Sequence, residues 1–190
     1  MRIALLAKGP TLKDYPGPEG FDEVWGLNQL AQSHELDKLF VMDDLKLRMP
    51  YYDGPEFTEW LKGYDGEVIT SKVYEEWPTT RAFPIKDVAK FFGLPLGIAM
   101  YSTVDYMLAY AIYTGVDEIH TYGVDCLSRN PQMDITRTSI AIWMGAAMSR
   151  GIRVTSANGG FSCFWTKTGV CMDNALYGYV ERPRIEDLRS

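Results

Sequence analysis

The chain predicts an α/β fold, one domain built on a mostly parallel sheet flanked by helices. Three observations carry this. Short β-branched and aromatic runs alternate with stretches at helical spacing, as in strands joined by crossover helices. The first run, Arg2–Ala7 (RIALLA), is almost wholly apolar without alternation, as in a strand buried on both faces of a parallel sheet. Two helical stretches end on Gly115 and Gly151, and each is followed after a short loop by a strand-like run.

Arg2–Ala7 leads into Lys8-Gly9-Pro10-Thr11-Leu12. Glycine lets a backbone lie close to a ligand, Thr11 offers a hydroxyl, and neighbouring N–H groups can cradle phosphate. The same residues also make an ordinary Gly-Pro turn, and they match neither a Walker loop nor GxGxxG. Asp14–Asp22, rich in Pro and Gly, reads as a surface loop. Glu23–Leu27 (EVWGL) is the second strand. Asn28, at its carboxyl end, either caps the next turn or hydrogen-bonds a ligand. Lys38–Met42 (KLFVM) is the third strand. It ends in Asp43-Asp44, carboxylates that either hold Mg2+ or a ribose or cap the adjoining turn.

Pro50–Pro55 breaks the chain, and Glu56–Tyr64 then places Phe57, Trp60 and Leu61 on one helical face. Glu67–Thr70 (EVIT) is the fourth strand, and Trp77–Pro84 reads as irregular. Ile85–Phe92 (IKDVAKFF) is an amphipathic helix closed by Gly93. Leu94–Ala99 crosses to the centre of the chain.

Met100–Asp125 is the stretch around which the rest is laid. Ser102 and Thr103 are good helix N-caps. Val104, Met107, Leu108, Ala111 and Ile112 follow at helical spacing, and Tyr106, Tyr110 and Tyr113 fill much of the remaining surface. A helix apolar on most sides is a core helix. Glu118–Val124 reads as an inner strand with Asp125 at its carboxyl end, the end at which open α/β sheets bind ligands. Ser128–Met133 is a polar loop. Arg137–Arg150 is another apolar helix, and Arg153–Ser156 is the last strand. Ala157–Tyr179, rich in Gly, Ser, Thr and aromatics, reads either as a lid over a pocket or as a subunit contact in a homo-oligomer. The charged tail from Arg182 is read as loosely held.

Composition narrows the function classes. A net charge of −6 disfavours DNA or RNA as main partner, since phosphate-tracking proteins are basic. The longest apolar run is far short of a membrane span. Cys126, Cys163 and Cys171 make an odd number without CxxC, which reads as free thiols in a reducing cytoplasm. Two histidines, His34 and His120, leave too few ligands for a His/Cys zinc site.

Two stretches carry a family resemblance. LLAKGPTLKDYPGPEGFDEVWGLNQL resembles the opening of bacterial sialyltransferases that use CMP-sialic acid (glycosyltransferase family 42). Those begin with a strand, a Gly-x-Gly-Pro-Ser-Leu-like loop and a second strand ending in Asn. YSTVDYMLAYAIYTGVDEIHTYGVDC is similar to their Thr-Ser-Gly helix, Glu-Ile strand and Gly-Ile-Asp end. The layout also resembles pterin pyrophosphokinase-like proteins. It is similar as well to small bacteriophage proteins of unassigned role, notably at ALYGY. The resemblance spans roughly residues 2–156 and implies a single Rossmann-like nucleotide-binding domain over 1–180.

It also implies site roles. Lys8, Gly9, Pro10 and Thr11 lie against phosphate or ribose, Asn28 contacts the nucleotide or its sugar, Ser102 and Thr103 meet phosphate, and Asp125 and Cys126 border base or ribose. The chain departs from the family at Lys8, where a small or amide residue is usual, and at Tyr101-Ser102-Thr103, which lacks glycine. Residues 126–152 contain no histidine, where those enzymes carry their general base in a lid, and His120 reads as a packed mid-strand residue. Asp125 and Asp43 are then the candidate catalytic groups, with Asp44 and Tyr122 beside them. The expected ligand is a small-molecule nucleotide or nucleotide-sugar, with Mg2+ as its companion in an enzyme. The expected function is glycosyltransferase-like or nucleotidyl transfer. The alternative is a phage-type binding protein that sequesters a host nucleotide signal.

Overall fold

The computed structural model describes residues 1–52, 54–93, 99–126 and 131–157. In chain order the elements are β1 (Arg2–Leu6), β2 (Glu23–Leu27), β3 (Lys38–Val41), α1 (Met49–Tyr52), α2 (Pro55–Lys62), β4 (Glu67–Thr70), β5 (Thr80–Ala82), α3 (Ile85–Phe92), α4 (Thr103–Thr114), β6 (Glu118–Tyr122), α5 (Pro131–Ser149) and β7 (Arg153–Ser156). Short 3₁₀ turns at Pro10–Asp14 and Asn28–Gln32 follow the first two strands.

Among the described residues seven strands form one sheet in the order β5-β4-β3-β2-β1-β6-β7, and every strand pairing is parallel. The α/β expectation therefore holds, with a sheet that is wholly parallel. β1 pairs Leu6 with Gly26 on one side and with Tyr122 on the other. Chain order reverses at β1. The connections there leave in opposite directions along the sheet, and the carboxyl ends of strands at such a reversal are where open α/β sheets bind ligands.

Period-two alternation separates two buried faces. Ile3, Leu5, Trp25, Phe40, Ile69 and Ile119 join one core with Val104, Met107, Leu108 and Ala111 of α4 and Ile140, Trp143 and Met144 of α5. The other face carries Leu39, Val41 and Val68 against Phe57 and Leu61 of α2, with Leu45, Met49, Tyr74 and Trp77 closing it. Phe57 and Leu61 are spaced i, i+4 and almost fully buried, each contributing about 1.5–3 kcal/mol of transfer free energy. α4 is the core helix its composition implies, and it stops at Gly115 in the left-handed region (φ 76°).

The structure departs from the sequence reading in several places. Thr80–Ala82, read as irregular, is the edge strand β5, and Val68 pairs with Thr80. Three residues between prolines give no periodicity to detect. The buried Thr80 hydroxyl, bonded to Trp77 O at 2.7 Å, holds the strand instead. β6 stops at Tyr122, not Val124, because Gly123 turns the chain at φ 74°. α5 begins at Pro131 rather than Arg137, with proline in the first turn where its missing N–H costs nothing. The expected lid or subunit contact beyond Ala157, and the tail, lie outside the described residues. No helix among the described residues is long and apolar enough to cross a membrane.

Candidate functional site

At the strand reversal the β1 and β6 chains continue side by side past the end of the sheet. Ala7 N donates to Tyr122 O at 2.8 Å, and Gly9 N donates to Gly123 O at 2.7 Å. The approach is too close for side chains. A Cβ on Gly9 would meet Asp125 Oδ2 at 2.3 Å, and one on Gly123 would meet Ala7 O at 2.0 Å. Thr11 completes the join. Its N–H donates to Asp125 Oδ2 at 2.7 Å, and its hydroxyl donates to Asp125 Oδ1 at 2.6 Å while accepting from Gly123 N at 2.9 Å. Thr11 and Asp125 are 5% and 3% exposed, so the carboxylate is taken up by these donors and stitches two loops. Pro10 is exposed beside them.

Beside this floor, the exposed Lys8 donates its Nζ to Gln29 Oε1, spanning the carboxyl ends of β1 and β2. Asn28 lies next to Gln29 in the left-handed region (φ 50°), a conformation Asn tolerates better than most residues. Its Oδ1 is buried with no hydrogen-bond partner. The turn beyond it is capped at Leu27 without a side-chain bond, so Asn28 does not serve as its cap. Cys126 is the other non-glycine residue at positive φ (47°) among the described residues. Its carbonyl accepts from Arg137 Nη1. Asn28 and Cys126 thus flank the β1 loop from opposite sides. Held in sparsely populated conformations, they mark the kind of place where folds store strain for function.

The α4 N-terminus is arranged differently. Asp105 Oδ2 accepts from Tyr101 N at 2.8 Å, Ser102 N at 2.7 Å, Ser102 Oγ at 3.0 Å and Ser139 Oγ at 3.0 Å. Its Oδ1 is buried with no partner. Burial pushes the Asp105 carboxyl pKa up, against the hydrogen bonds that pull it down. Asp105 closes a capping box and ties α4 to α5. Ser102 is therefore bonded to an internal carboxylate, while Thr103 opens the helix half-buried. Asp105 is not among the residues that the sequence singles out for the site. The Ser-x-x-Asp spacing of Ser102 and Asp105 is the signal that could have found it.

The remaining candidates lie apart. Asp43 and Asp44 follow β3, two strands and about 10 Å from β1. Asp44 caps the next turn, accepting from Lys46 N at 2.9 Å and Leu47 N at 3.0 Å through Oδ1 and from Lys72 Nζ at 3.0 Å through Oδ2. The Lys72 bond, helped by those N–H groups, holds its pKa at about 2. With Asp44 so engaged, Asp43 stands half-buried beside it as a single carboxylate, which suits Mg2+ poorly. No group of three His, Cys, Asp or Glu among the described residues is placed to hold a metal ion. His120 lies mid-strand on β6, in a polar cluster rather than in the apolar core. Its Nδ1 is 2.7 Å from Thr155 Oγ1, and its Nε2 is 3.1 Å from both Glu118 Oε2 and Arg2 Nε. Tyr122 packs edge-on to Tyr15 with ring centroids 5.3 Å apart, and burial pushes its phenol pKa up.

No protein-family model and no curated protein matches the chain. Solved structures do. The sialyltransferase CstII from Campylobacter jejuni in complex with cytidine-5′-monophosphate is 18% identical over 84% of this chain and 81% of that one, with a TM-score of 0.53. CstII bound to the substrate analogue CMP-3FNeuAc is 16% identical over 83% and 81%, with a TM-score of 0.52. The same enzyme with a trisaccharide acceptor and CMP is 17% identical over 84% and 82%, also at 0.52. At these identities the likeness establishes a shared fold: the chain has the Rossmann-like α/β architecture of these sialyltransferases.

Proposed function

We propose that the chain binds a nucleotide or nucleotide-sugar across the carboxyl ends of β1, β2 and β6, and acts on it as a glycosyltransferase-like or nucleotidyl transferase. The observation that carries this reading is Asn28. A buried amide oxygen without a donor costs about 1–3 kcal/mol, and a ligand hydroxyl or amino group arriving at the strand reversal would offset that cost. Lys8, Gly9 and Pro10 then border phosphate, and Thr11 and Asp125 form the floor. Ser102 and Thr103 face the ligand from α4, and Cys126 lines the base or ribose side. The fold shared with CMP-bound CstII makes a cytidine nucleotide the first ligand to test. Proton transfer falls to Asp43, or to Asp125 after release from Thr11. Mg2+ enters on the ligand's phosphates rather than on a carboxylate cage of the chain.

The alternative is a phage-type protein that captures a nucleotide signal in the host cytoplasm without turning it over. The Thr11–Asp125 lock favours it, because each oxygen of the Asp125 carboxylate already accepts a hydrogen bond from Thr11. One experiment separates the two. A thermal-shift panel would contain CMP, CDP, CMP-sialic acid, UDP-sugars and cyclic dinucleotides, with and without Mg2+. A ligand at about a hundred times its dissociation constant adds roughly 2.7 kcal/mol, or about 5–10 °C in this size class. The shifting ligand is then recovered by chromatography. Its consumption supports transfer and its recovery intact supports capture. A panel without any shift refutes both.

A further inference from the structure

We infer that Tyr101 is the stacking platform of the site: the planar ring of the ligand, a nucleobase, lies against its phenol ring at the head of α4. This rests on the nucleotide reading of the site and names the side chain that holds the base.

The ring is exposed and is not used by the chain's own packing. Tyr101 is 46% exposed. Phe91 is the other aromatic side chain exposed to a similar degree among those described, and its ring is engaged. It lies edge-on to Phe92 and Tyr113, with the Arg150 guanidinium over it. Tyr101 has no ring or cation–π contact among the described residues. The ordinary structural task of an apolar residue just before a helix N-cap is to staple onto the fourth helical residue. Here those positions are Tyr101 and Tyr106. Tyr106 instead meets Phe83 edge-on, with ring centroids 5.1 Å apart, so no pair of rings makes the staple.

The backbone that carries the ring is nevertheless fixed. Tyr101 N donates to Oδ2 of the wholly buried Asp105 at 2.8 Å, and two residues earlier Ala99 O accepts from Trp143 Nε1 at 2.5 Å. An aromatic ring on a pinned backbone loses little freedom on meeting a ligand. Its place is the ligand-binding edge of the sheet. α4 ends at Thr114, just before β6 begins at Glu118, so its C-terminus lies at the amino edge of the strands. Its first residue lies about 18 Å back at 1.5 Å per residue, at the carboxyl edge that holds Asn28 and Asp125. α5 ties this end to the side proposed for base or ribose, since Ser139 Oγ donates to Asp105 Oδ2 and Arg137 Nη1 donates to Cys126 O. Every base has a π face, so such a platform registers that a base is present rather than which one. Asn28 Oδ1 is left to take the ligand's donor.

The test titrates CMP, UMP, AMP and GMP by calorimetry against wild type, Tyr101→Phe, Tyr101→Leu and Tyr101→Ala. The ring is exposed, so all three variants should melt within about 2 °C of wild type. Whichever nucleotide wild type binds should bind Tyr101→Ala and Tyr101→Leu at least about fivefold more weakly, and Tyr101→Phe within about threefold. Wild-type affinity in Tyr101→Ala or Tyr101→Leu overturns the inference and leaves the nucleotide site standing. So does a Tyr101→Phe protein as weak as Tyr101→Ala, which assigns the effect to the hydroxyl. A loss of affinity that comes with a larger fall in Tm also overturns it, because the ring is then packed against the chain itself. Wild type that binds none of the four overturns both readings.

Discussion

Thr11→Val tests whether the stitch between the β1 and β6 loops holds the floor of the site. Valine keeps the shape of threonine, so the change removes hydrogen bonds without opening a cavity. Two are lost: the 2.6 Å donation to Asp125 Oδ1 and the 2.9 Å acceptance from Gly123 N. Bonds to charged groups are worth about 1.5–3 kcal/mol, and an orphaned buried N–H costs about 1–3 kcal/mol. The two share an oxygen and do not add fully, so the expected loss is about 3 kcal/mol. For a chain of this size that is a fall of roughly 6–12 °C in Tm. Thermal melts followed by circular dichroism, with urea titration for the free energy, read it directly. Thr11→Ser keeps the hydroxyl and should lose about 1 kcal/mol or less, the value of one buried methyl. A double-mutant cycle with Asp125→Asn should return a coupling of about 1–3 kcal/mol. A Thr11→Val protein melting within about 2 °C of wild type would refute the stitch.

Single sites elsewhere make further tests. Gly123→Ala places a Cβ 2.0 Å from Ala7 O at a positive φ, and should cost at least about 2 kcal/mol in a urea titration. Gly145→Ala, where nothing lies within 4 Å of the added carbon, should instead stabilise α5 by about 0.5–1 kcal/mol. Asp44 has a pKa lowered in the fold to about 2, so its contribution is present above the unfolded value of 3.8 and is lost as pH falls through about 2. Asp44→Asn should therefore cost about 1 kcal/mol at neutral pH, the value of a solvent-screened pair plus a cap, and progressively less as pH falls from the unfolded value of 3.8 through about 2. Asp105 is raised in the fold, so its contribution is full below the unfolded value and fades as pH rises through the folded one. The Tm of Asp105→Asn relative to wild type should accordingly climb between pH 4 and pH 8, and a flat difference would show that Asp105 does not titrate as its burial requires.

The residues alone make legible whatever the chain states locally. RIALLA and EVIT declare buried strands, and the helix between Ser102 and Gly115 declares its caps and its all-round burial. The positions of Gly9, Asn28 and Asp125 at strand ends are legible because strand ends are local too. Their states are not. Whether Asp125 faces a ligand or its own chain depends on Thr11, which lies 114 residues away in sequence. The left-handed turns at Asn28 and Cys126 depend on how loops cross, and neither residue type declares that. β5 has only three residues, too few for a period to emerge, and it exists because β4 offers an edge. Asp105 is legible in principle, through a spacing of three from Ser102. The same Ser102-Thr103 pair also suits a phosphate-binding helix end, and only the fold shows the carboxyl already seated there.

The interior place of β1, between β2 and β6, sets the order in which this protein can assemble. Arg2 must pair with Glu118, and its neighbours with the strand beyond α4. β1 can pair with β2 once that strand has been made, but its other edge stays open until β6 emerges. Sheets closed by such distant pairings fold slowly and expose strand edges while they wait. The β1–β6 seam, where the candidate site lies, thus forms only after β6 has been made, and a chain halted before Glu118 would leave one edge of the apolar Ile3–Leu6 strand open to whatever chaperone or aggregate reaches it first.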